Sequence, residues 1–448
     1  MEVVAPLTHA YLGELEPVDH PQRAYFADGE VVTLPLIFLP DIVLFPGDEL
    51  PLRILSASSL EFIRAQLSSE GAVLAVLTAD QGDTAYGTTV RVEKFHVAGQ
   101  SAAITGAAKQ RFRLRRSQLG SDLASRGEVE ILPQAQPPRL PFPCSSVIDE
   151  RQTVASASNK SRRNLLRRRE LSCTAYWHHT VYDLFDSQAL VKRVQDKLLS
   201  NVHSNWFANI PAPTTAETSS DEPALQVAQY LATPSGQQDP SLFAYWVAGN
   251  LPLTTAQRLE LLKLDSVVRL LQRELELLET LEEDVSCAHC GSFLASTREI
   301  FSMSVQGAGG TFVNPGGYVY QIMTLRSVDR ERVAIDERRF TQDSWFPGYS
   351  WSITSCRACP NHLGWRFDHV DESLEPETFF GFRRAALVLS RSARRSPVEE
   401  TTSTSVLVLP DLTGSPRDEE TGSDSESVQS YWSLPSNAST GSDELPLW

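Results

Sequence analysis

The chain has 448 residues, 41% of them hydrophobic, and a formal net charge of -16 at pH 7. That length predicts two or three domains with ample apolar sequence for their cores. The acidic balance gives no ground for nucleic-acid binding, no apolar run approaches the ~20 residues of a membrane span, and Met1 opens no basic-then-apolar leader, so a cytoplasmic and nuclear protein is expected.

Residues 1–30 read as a short irregular segment. From Val31 the pattern turns to strands, predicted at Val32–Leu36, Ile42–Gly47 and Leu50–Ile54. A helix is predicted over Ser59–Ser69, then strands at Val73–Leu77, Thr89–Glu93, Arg111–Leu114 and Glu128–Leu132. Residues 31–170 are thus a mainly β domain followed by a linker that runs through Pro-rich sequence into Lys160, Arg162, Arg163, Arg167, Arg168 and Arg169. Such a cluster suits nuclear import or an anionic patch, but clusters of this kind recur on solvated loops, and a linker is the preferred reading. Cys144 and Cys173 read as free thiols in a reducing compartment.

Residues 171–283 are predicted to form a helical bundle. Asp186 caps a helix with Leu190, Val191, Val194, Leu198 and Leu199 on one face. Thr254 and Gln257 have capping-box spacing and open a long helix, Ala256 to about Leu281. Its apolar residues, among them Leu259, Leu262, Leu270 and Leu277, cover more than one stripe, which predicts burial within the bundle or against a partner. Loops are expected at 211–222 and 233–240, rich in Pro, Thr, Ser and Gly.

Residues 284–390 carry the strongest chemical signal. Cys287-Ala-His-Cys290 and, after 65 intervening residues, Cys356-Arg-Ala-Cys359 present two thiolate pairs that can close a tetrahedral Zn²⁺ shell. Two redox dithiols or two unrelated pairs are the alternatives; one structural zinc is favoured, with His289 facing solvent. Strands are predicted at Glu299–Val305 and Tyr318–Thr324, with turns at Gly307–Gly310 and Asn314–Gly317. A small antiparallel domain follows, in which zinc carries much of the folding free energy. Trp345, Trp351 and Trp365 crowd beside the second cysteine pair, either walling an apolar pocket or packing around the metal. Four thiolate ligands leave no open coordination position for metal-activated water. The tail, 391–448, reads as disordered, with ten acidic residues to one basic from 396 onward; Ser423, Ser425 and Ser427 alternate with acids there, and a solubilising role is preferred to phosphorylation.

Asn314-Pro315-x-Gly317-Tyr318, Ser344-Trp345-Phe346-Pro347-Gly348-Tyr349-x-Trp351 and Cys356-x-x-Cys359-x-x-His362-x-Gly364-Trp365-x-Phe367 resemble the thalidomide-binding (CULT) domain of the cereblon family. Leu44-Phe-Pro-Gly-Asp-x-Leu-Pro-Leu52, Tyr86-Gly-Thr-Thr89 and Lys109-Gln-Arg-Phe112 resemble a Lon N-terminal domain. The resemblance implies an α+β multidomain chain: a mainly β Lon-like domain with a helical bundle, then a zinc-pinned, all-β β-tent. It implies a cage of Trp345, Trp351 and Trp365 for a glutarimide or a C-terminal cyclic imide, supported by Asn314, Pro315, Tyr318, Ser344 and Phe367. The helical part would dock the triple β-propeller adaptor of a cullin-RING ubiquitin ligase, over about residues 171–255. The chain itself would be a non-catalytic substrate receptor for client proteins carrying cyclic imides. It offers no Walker phosphate loop, so Lon-type ATP-dependent proteolysis is excluded. The β-tent also resembles methionine sulfoxide reductase B, but no fifth cysteine lies between 284 and 390 to act as nucleophile.

Gly316 and Asp343 stand where the family usually has histidine. Gly316 supplies no side-chain contact at the rim. Asp343 keeps a backbone carbonyl and adds a carboxylate, which favours a cationic guest and gives the alternative of a ligase-independent small-molecule or methylammonium binder.

Overall fold

The computed structural model describes residues 9–18, 25–68, 73–78, 85–99, 101–118, 125–133, 183–199, 239–281, 284–303 and 307–390. The basic cluster, Cys144, Cys173, the loop at 211–222, the greater part of the expected adaptor-docking stretch and the acidic tail lie outside the described residues.

Strands β1 (Glu16–Pro17), β2 (Val31–Phe38), β3 (Glu49–Ile54), β4 (Val73–Leu77), β5 (Tyr86–Ala98), β6 (Ser101–Gln118) and β7 (Arg126–Ile131) form one sheet in the order β1-β5-β4-β2-β7-β6-β3. Because β5 also pairs with β6, the sheet closes on itself as a barrel. Only β2 and β4 run parallel among these pairs. Leu36, Leu77, Phe112, Val129 and Ile131 fill the interior. On the outside, helix α1 (Ala57–Ser68) lays Leu60 and Ile63 against Ile37, Val92 and Ile104.

Two expectations for this half are corrected. Residues 42–47 are not a strand but an irregular turn, buried over 42–46, because side chains rather than a neighbouring strand meet the backbone of Val43 and Leu44. Gln321 exchanges two hydrogen bonds with Val43, Arg258 donates to the Val43 carbonyl at 2.7 Å, and Thr88 donates to the Leu44 carbonyl at 2.6 Å. Nor is the N-terminal segment merely irregular. Ala10–Leu12 form a 3₁₀ turn, β1 pairs with β5, and the Tyr11 hydroxyl accepts a hydrogen bond from Val313 N–H at 3.1 Å, so aromatic packing of His9 and Tyr11 on Phe312 anchors the start of the chain.

Helices α2 (Ser187–Leu199), α3 (Pro240–Asn250), α4 (Thr255–Lys263) and α5 (Val267–Thr280) follow. The Asp186 carboxylate accepts from Gln188 N–H at 2.9 Å, and Leu190, Val191, Val194 and Leu198 are buried along one face. Asp239 caps α3 ahead of Pro240, and the Thr254–Gln257 capping box is formed. The single long helix expected from Ala256 is instead two. Arg111, 1% exposed on β6, donates to the carbonyls of Leu262 and Leu264, taking them out of the helical ladder, and the chain turns at Asp265–Ser266 before α5 starts.

Beyond the helices, β8 (Asp284–Cys287) and β9 (Phe293–Ser296) pair with the last strand in a small sheet. A larger antiparallel sheet holds β10 (Gly309–Val313), β11 (Val319–Leu325), β12 (Val333–Ile335), β13 (Tyr349–Cys356), β14 (His362–His369) and β15 (Thr378–Arg383) in the order β10-β11-β15-β14-β13-β12, and β16 (Leu387–Ser390) closes the first sheet. Of the strand expected over Glu299–Val305, the described residues 299–303 form none. Thr297–Glu299 make a 3₁₀ turn whose cap is the Ser296 hydroxyl, and the pairing strand lies earlier, as β9.

The core of this domain is not confined to its own strands. Phe243, Leu270, Leu278, Cys287, Leu294, Met323, Phe380 and Phe382 belong to one continuous core that runs from the helices into the β layers. Among the described residues no helix is long and apolar enough to cross a membrane.

Candidate ligand site and metal centre

Cys287 ends β8 and Cys356 ends β13, so two strand ends deliver the thiols; Cys290 and Cys359 follow in tight turns, the first closed by Gly291 N–H donating to the Cys287 carbonyl at 2.8 Å. The four sulfur atoms lie within 4.8 Å of one another, with Cys287–Cys359 and Cys290–Cys356 at 3.7 and 3.6 Å. A tetrahedron with ~2.3 Å Zn–S bonds has S–S edges of about 3.8 Å. The donor set therefore fits one structural zinc. Four thiols this close cannot all ionise unaided. At Cys359 a hydrogen bond from Asn361 N–H favours the thiolate, yet desolvation and the neighbouring thiols Cys290 and Cys287 outweigh it and push the group up to about 12. A dication reverses that balance. His289 is exposed and outside the cluster.

The aromatic site is built on the β13–β14 pair and the β10–β11 hairpin. Register places Trp351 opposite Phe367 and Ile353 opposite Trp365, so Trp351 and Trp365 share one sheet face as diagonal neighbours. Trp345, from the preceding loop, meets Trp365 edge to face at 4.5 Å. Its indole N–H donates to the Val313 carbonyl at 3.1 Å, and that of Trp351 donates to the Gln342 carbonyl at 2.9 Å. Trp345 and Trp365 are 8% and 9% exposed, whereas Trp351 is half-buried and stacks on Phe340 at 4.8 Å.

The remaining expected residues take four roles. Asn314 is buried, and its side-chain carbonyl accepts from Tyr318 N–H at 2.8 Å, fixing the turn that carries the exposed Pro315 and Tyr318. Ser344 donates to the Phe346 carbonyl at 3.0 Å and shapes the loop. Phe367 is core, 1% exposed and packed on Phe346 and Phe379. Asp343 sits at φ 54°, a left-handed conformation that Asp tolerates, and its carboxylate pairs with Arg53 of β3 at 3.1 Å. The carboxylate expected to attract a cationic guest thus already has a counter-ion.

Sequence reasoning missed Phe312, Tyr320 and the role of His362. Phe312 stacks on Trp345 at 5.2 Å and Tyr320 meets Trp365 at 5.2 Å; the two face each other in the hairpin register, a signal legible in the alternation around the Asn314–Gly317 turn. His362 lies edge-on to Trp365 at 4.9 Å, and burial together with the nearby Arg383 guanidinium lowers its imidazole to about 4, so a neutral ring backs the indole.

Comparison with known proteins agrees with both halves. The family described as the ATP-dependent protease La (LON) substrate-binding domain matches residues 33–280, and that described as Yippee zinc-binding/DNA-binding/Mis18, centromere assembly, matches residues 285–402. Protein cereblon of Danio rerio is 29% identical over 403 residues, covering 86% of each chain. Protein cereblon of Xenopus tropicalis is 28% identical over 404 residues, covering 85% of this chain and 83% of its own, and that of Drosophila melanogaster is 30% identical over 166 residues, covering 36% and 28%. Among solved structures, the N-terminal domain of Mycobacterium avium complex Lon protease aligns with a TM-score of 0.33 at 15% identity, covering 56% of this chain and 99% of that domain. The chain therefore belongs to the Lon substrate-binding domain family and is related to cereblon across both its Lon-like and its zinc-binding halves.

Proposed function

We propose that the chain is the substrate-recognition subunit of a cullin-RING E3 ubiquitin ligase, and is not itself an enzyme. In this reading residues 31–170 and 171–283 form the Lon-like and adaptor-docking parts, residues 284–390 capture the client, and the protein works in cytoplasm and nucleus. The guest is a glutarimide-type ring, free or as the C-terminal cyclic imide of a client protein. Capture raises the effective concentration of ubiquitin-loaded enzyme near the client's lysines.

The observation that carries this reading is the grouping of Trp345, Trp351 and Trp365 over one sheet face, with Trp345 and Trp365 4.5 Å apart. Aromatic walls with few polar groups suit a small flat ring. Cereblon relatives covering most of the chain support the ligase role. The ligase-independent methylammonium binder rested on an unpaired Asp343 carboxylate, and the Arg53–Asp343 pair removes that support.

The test is a titration of intrinsic tryptophan fluorescence on zinc-loaded protein with a glutarimide and, separately, a trimethylammonium compound, alongside Trp351→Ala. Saturable imide binding that the substitution abolishes is expected, as is co-purification of a triple β-propeller adaptor. Binding of the cation alone, or folded protein that retains no adaptor, would overturn the receptor reading.

A further inference from the structure

Lysine and arginine are unevenly shared along the chain. Of its 40 basic residues only six are lysine, Lys94, Lys109, Lys160, Lys192, Lys197 and Lys263, and residues 264–448 contain none. The half that carries the zinc ligands and the tryptophans, 284–390, holds ten arginines, seven of them exposed. Geometry calls for arginine at some of these positions. Arg366 Nε and Nη2 both donate to the Asp368 carboxylate, at 2.9 and 2.6 Å, and Arg384 reaches the Gly249 and Leu251 carbonyls. No such fork is used at Arg339, whose side chain is 59% exposed and 3.6 Å from Asp368, a point-charge contact equally open to an ammonium.

The two cations share a charge but not a chemistry. At neutral pH about one lysine amine in 10³ is unprotonated, against fewer than about one guanidinium in 10⁵. In ubiquitin transfer the unprotonated amine attacks the thioester carbonyl that joins ubiquitin's C-terminal glycine to a cysteine of the conjugating enzyme. An isopeptide C–N bond forms, the C–S bond breaks, and the cysteine leaves as the thiol with the amine's proton. A receptor that presents a client to this thioester raises its effective concentration around everything beside the client, the receptor's own surface included. Position 339 is such a place. Its neighbour Phe340 stacks on Trp351 at 4.8 Å, and the Trp351 indole N–H donates to the Gln342 carbonyl.

We propose, resting on the ligase reading above, that the client-capturing half offers no acceptor amine, so that ubiquitin delivered beside the cage passes to the client alone, and that self-ubiquitination is left to the barrel and helices, where Lys94, Lys192 and Lys263 are exposed. Lys109 is set apart from these three, since its side chain is 20% exposed and its ammonium is held 3.0 Å from Glu93. Lys160 lies outside the described residues. Arginine thus keeps the surface cationic around the cage while removing the nucleophile that would compete with the client's lysines.

The test supplies the full-length, zinc-loaded chain, assembled with adaptor, cullin and RING subunits, with ubiquitin, its activating and conjugating enzymes, ATP and a lysine-bearing model protein that ends in a glutarimide. Arg339→Lys preserves the positive charge and is expected to preserve the melting temperature. Di-glycine remnants mapped by mass spectrometry should appear at position 339, total self-ubiquitination should rise on the order of tenfold over wild type, and modification of the model client should fall by competition. Arg269→Lys, on a side chain 66% exposed at the start of α5 and outside the capturing half, is expected to add no more than about twofold. Normal modification of the client with position 339 left bare, or an equal gain from the two variants, would overturn the proposal alone. Absence of transfer to the client by wild type and variants would overturn the ligase reading and this inference with it.

Discussion

Arg53 of β3 and Asp343 of the loop before Trp345 form an ion pair at 3.1 Å across the junction of barrel and zinc-bearing layers, and the same guanidinium donates to the Tyr11 carbonyl at 3.2 Å. Both side chains keep some solvent contact, 21% and 27%, which limits the pair's energetic worth. Arg53→Ala should cost about 0.5–1.5 kcal/mol in urea unfolding, with the difference shrinking in 1 M salt. It should also free the Asp343 carboxylate and raise trimethylammonium affinity about two- to fivefold. Unchanged cation affinity in the variant would show that Asp343 does not act on the cage.

Zinc should be found at one equivalent per chain by atomic spectroscopy. Chelation should raise hydrogen exchange through β8, β9, β13 and β14, which carry the thiols, while β2–β7 of the barrel remain protected, since the barrel has its own cores. Uniform loss of protection would mean that the shared helix–β core fails with the metal.

Arg111 holds the break between α4 and α5, donating to the Leu262, Leu264 and Pro133 carbonyls and standing 6.0 Å from the Tyr245 ring. Arg111→Met leaves those carbonyls buried and unmet and is expected to destabilise by about 2–4 kcal/mol. Chemical denaturation measures it, and a cost below about 0.5 kcal/mol, the range of ordinary surface substitutions, would contradict this role.

Glu274 of α5 is fully buried, neither carboxylate oxygen has a hydrogen-bond partner, and burial raises its pKa well above the usual carboxylate value. The folded chain thus keeps a proton that the unfolded chain releases above about pH 4.5, so this group's penalty grows as pH rises from there. Glu274→Leu is expected to stabilise by about 1–3 kcal/mol at pH 7 and to flatten that part of the pH profile. Destabilisation by the substitution would show that the carboxyl has a structural use.

His9 has the opposite dependence. Burial, aided by Lys94, lowers its imidazole to about 4, so the unfolded chain binds the extra proton first and stability falls as pH drops from about 6.5 toward 4. Urea midpoints of wild type and His9→Gln should converge over that window, the wild type losing on the order of 1–3 kcal/mol more. Parallel profiles would place the acid sensitivity elsewhere.

What the sequence determined by itself is whatever depends on short spacing. Two Cys-x-x-Cys pairs announce a tetrahedral thiolate set, and Thr254–Gln257 and Asp186 announce helix starts, because a knuckle or a cap is made within four residues. Alternation likewise gave most barrel strands their places. Tertiary structure alone decided what distant side chains do to a local backbone. Residues 42–47 look like a strand until Gln321, Arg258 and Thr88 take up their carbonyls and N–H groups, and Ala256–Leu281 looks like one helix until Arg111 draws two carbonyls out of it. The same holds at the cage rim, where Asp343 reads as a free carboxylate until Arg53, 290 residues earlier, reaches it. A local pattern records the propensity of its own segment, whereas a buried hydrogen bond or ion pair between segments costs the sequence only one residue at each end and leaves no periodicity to read.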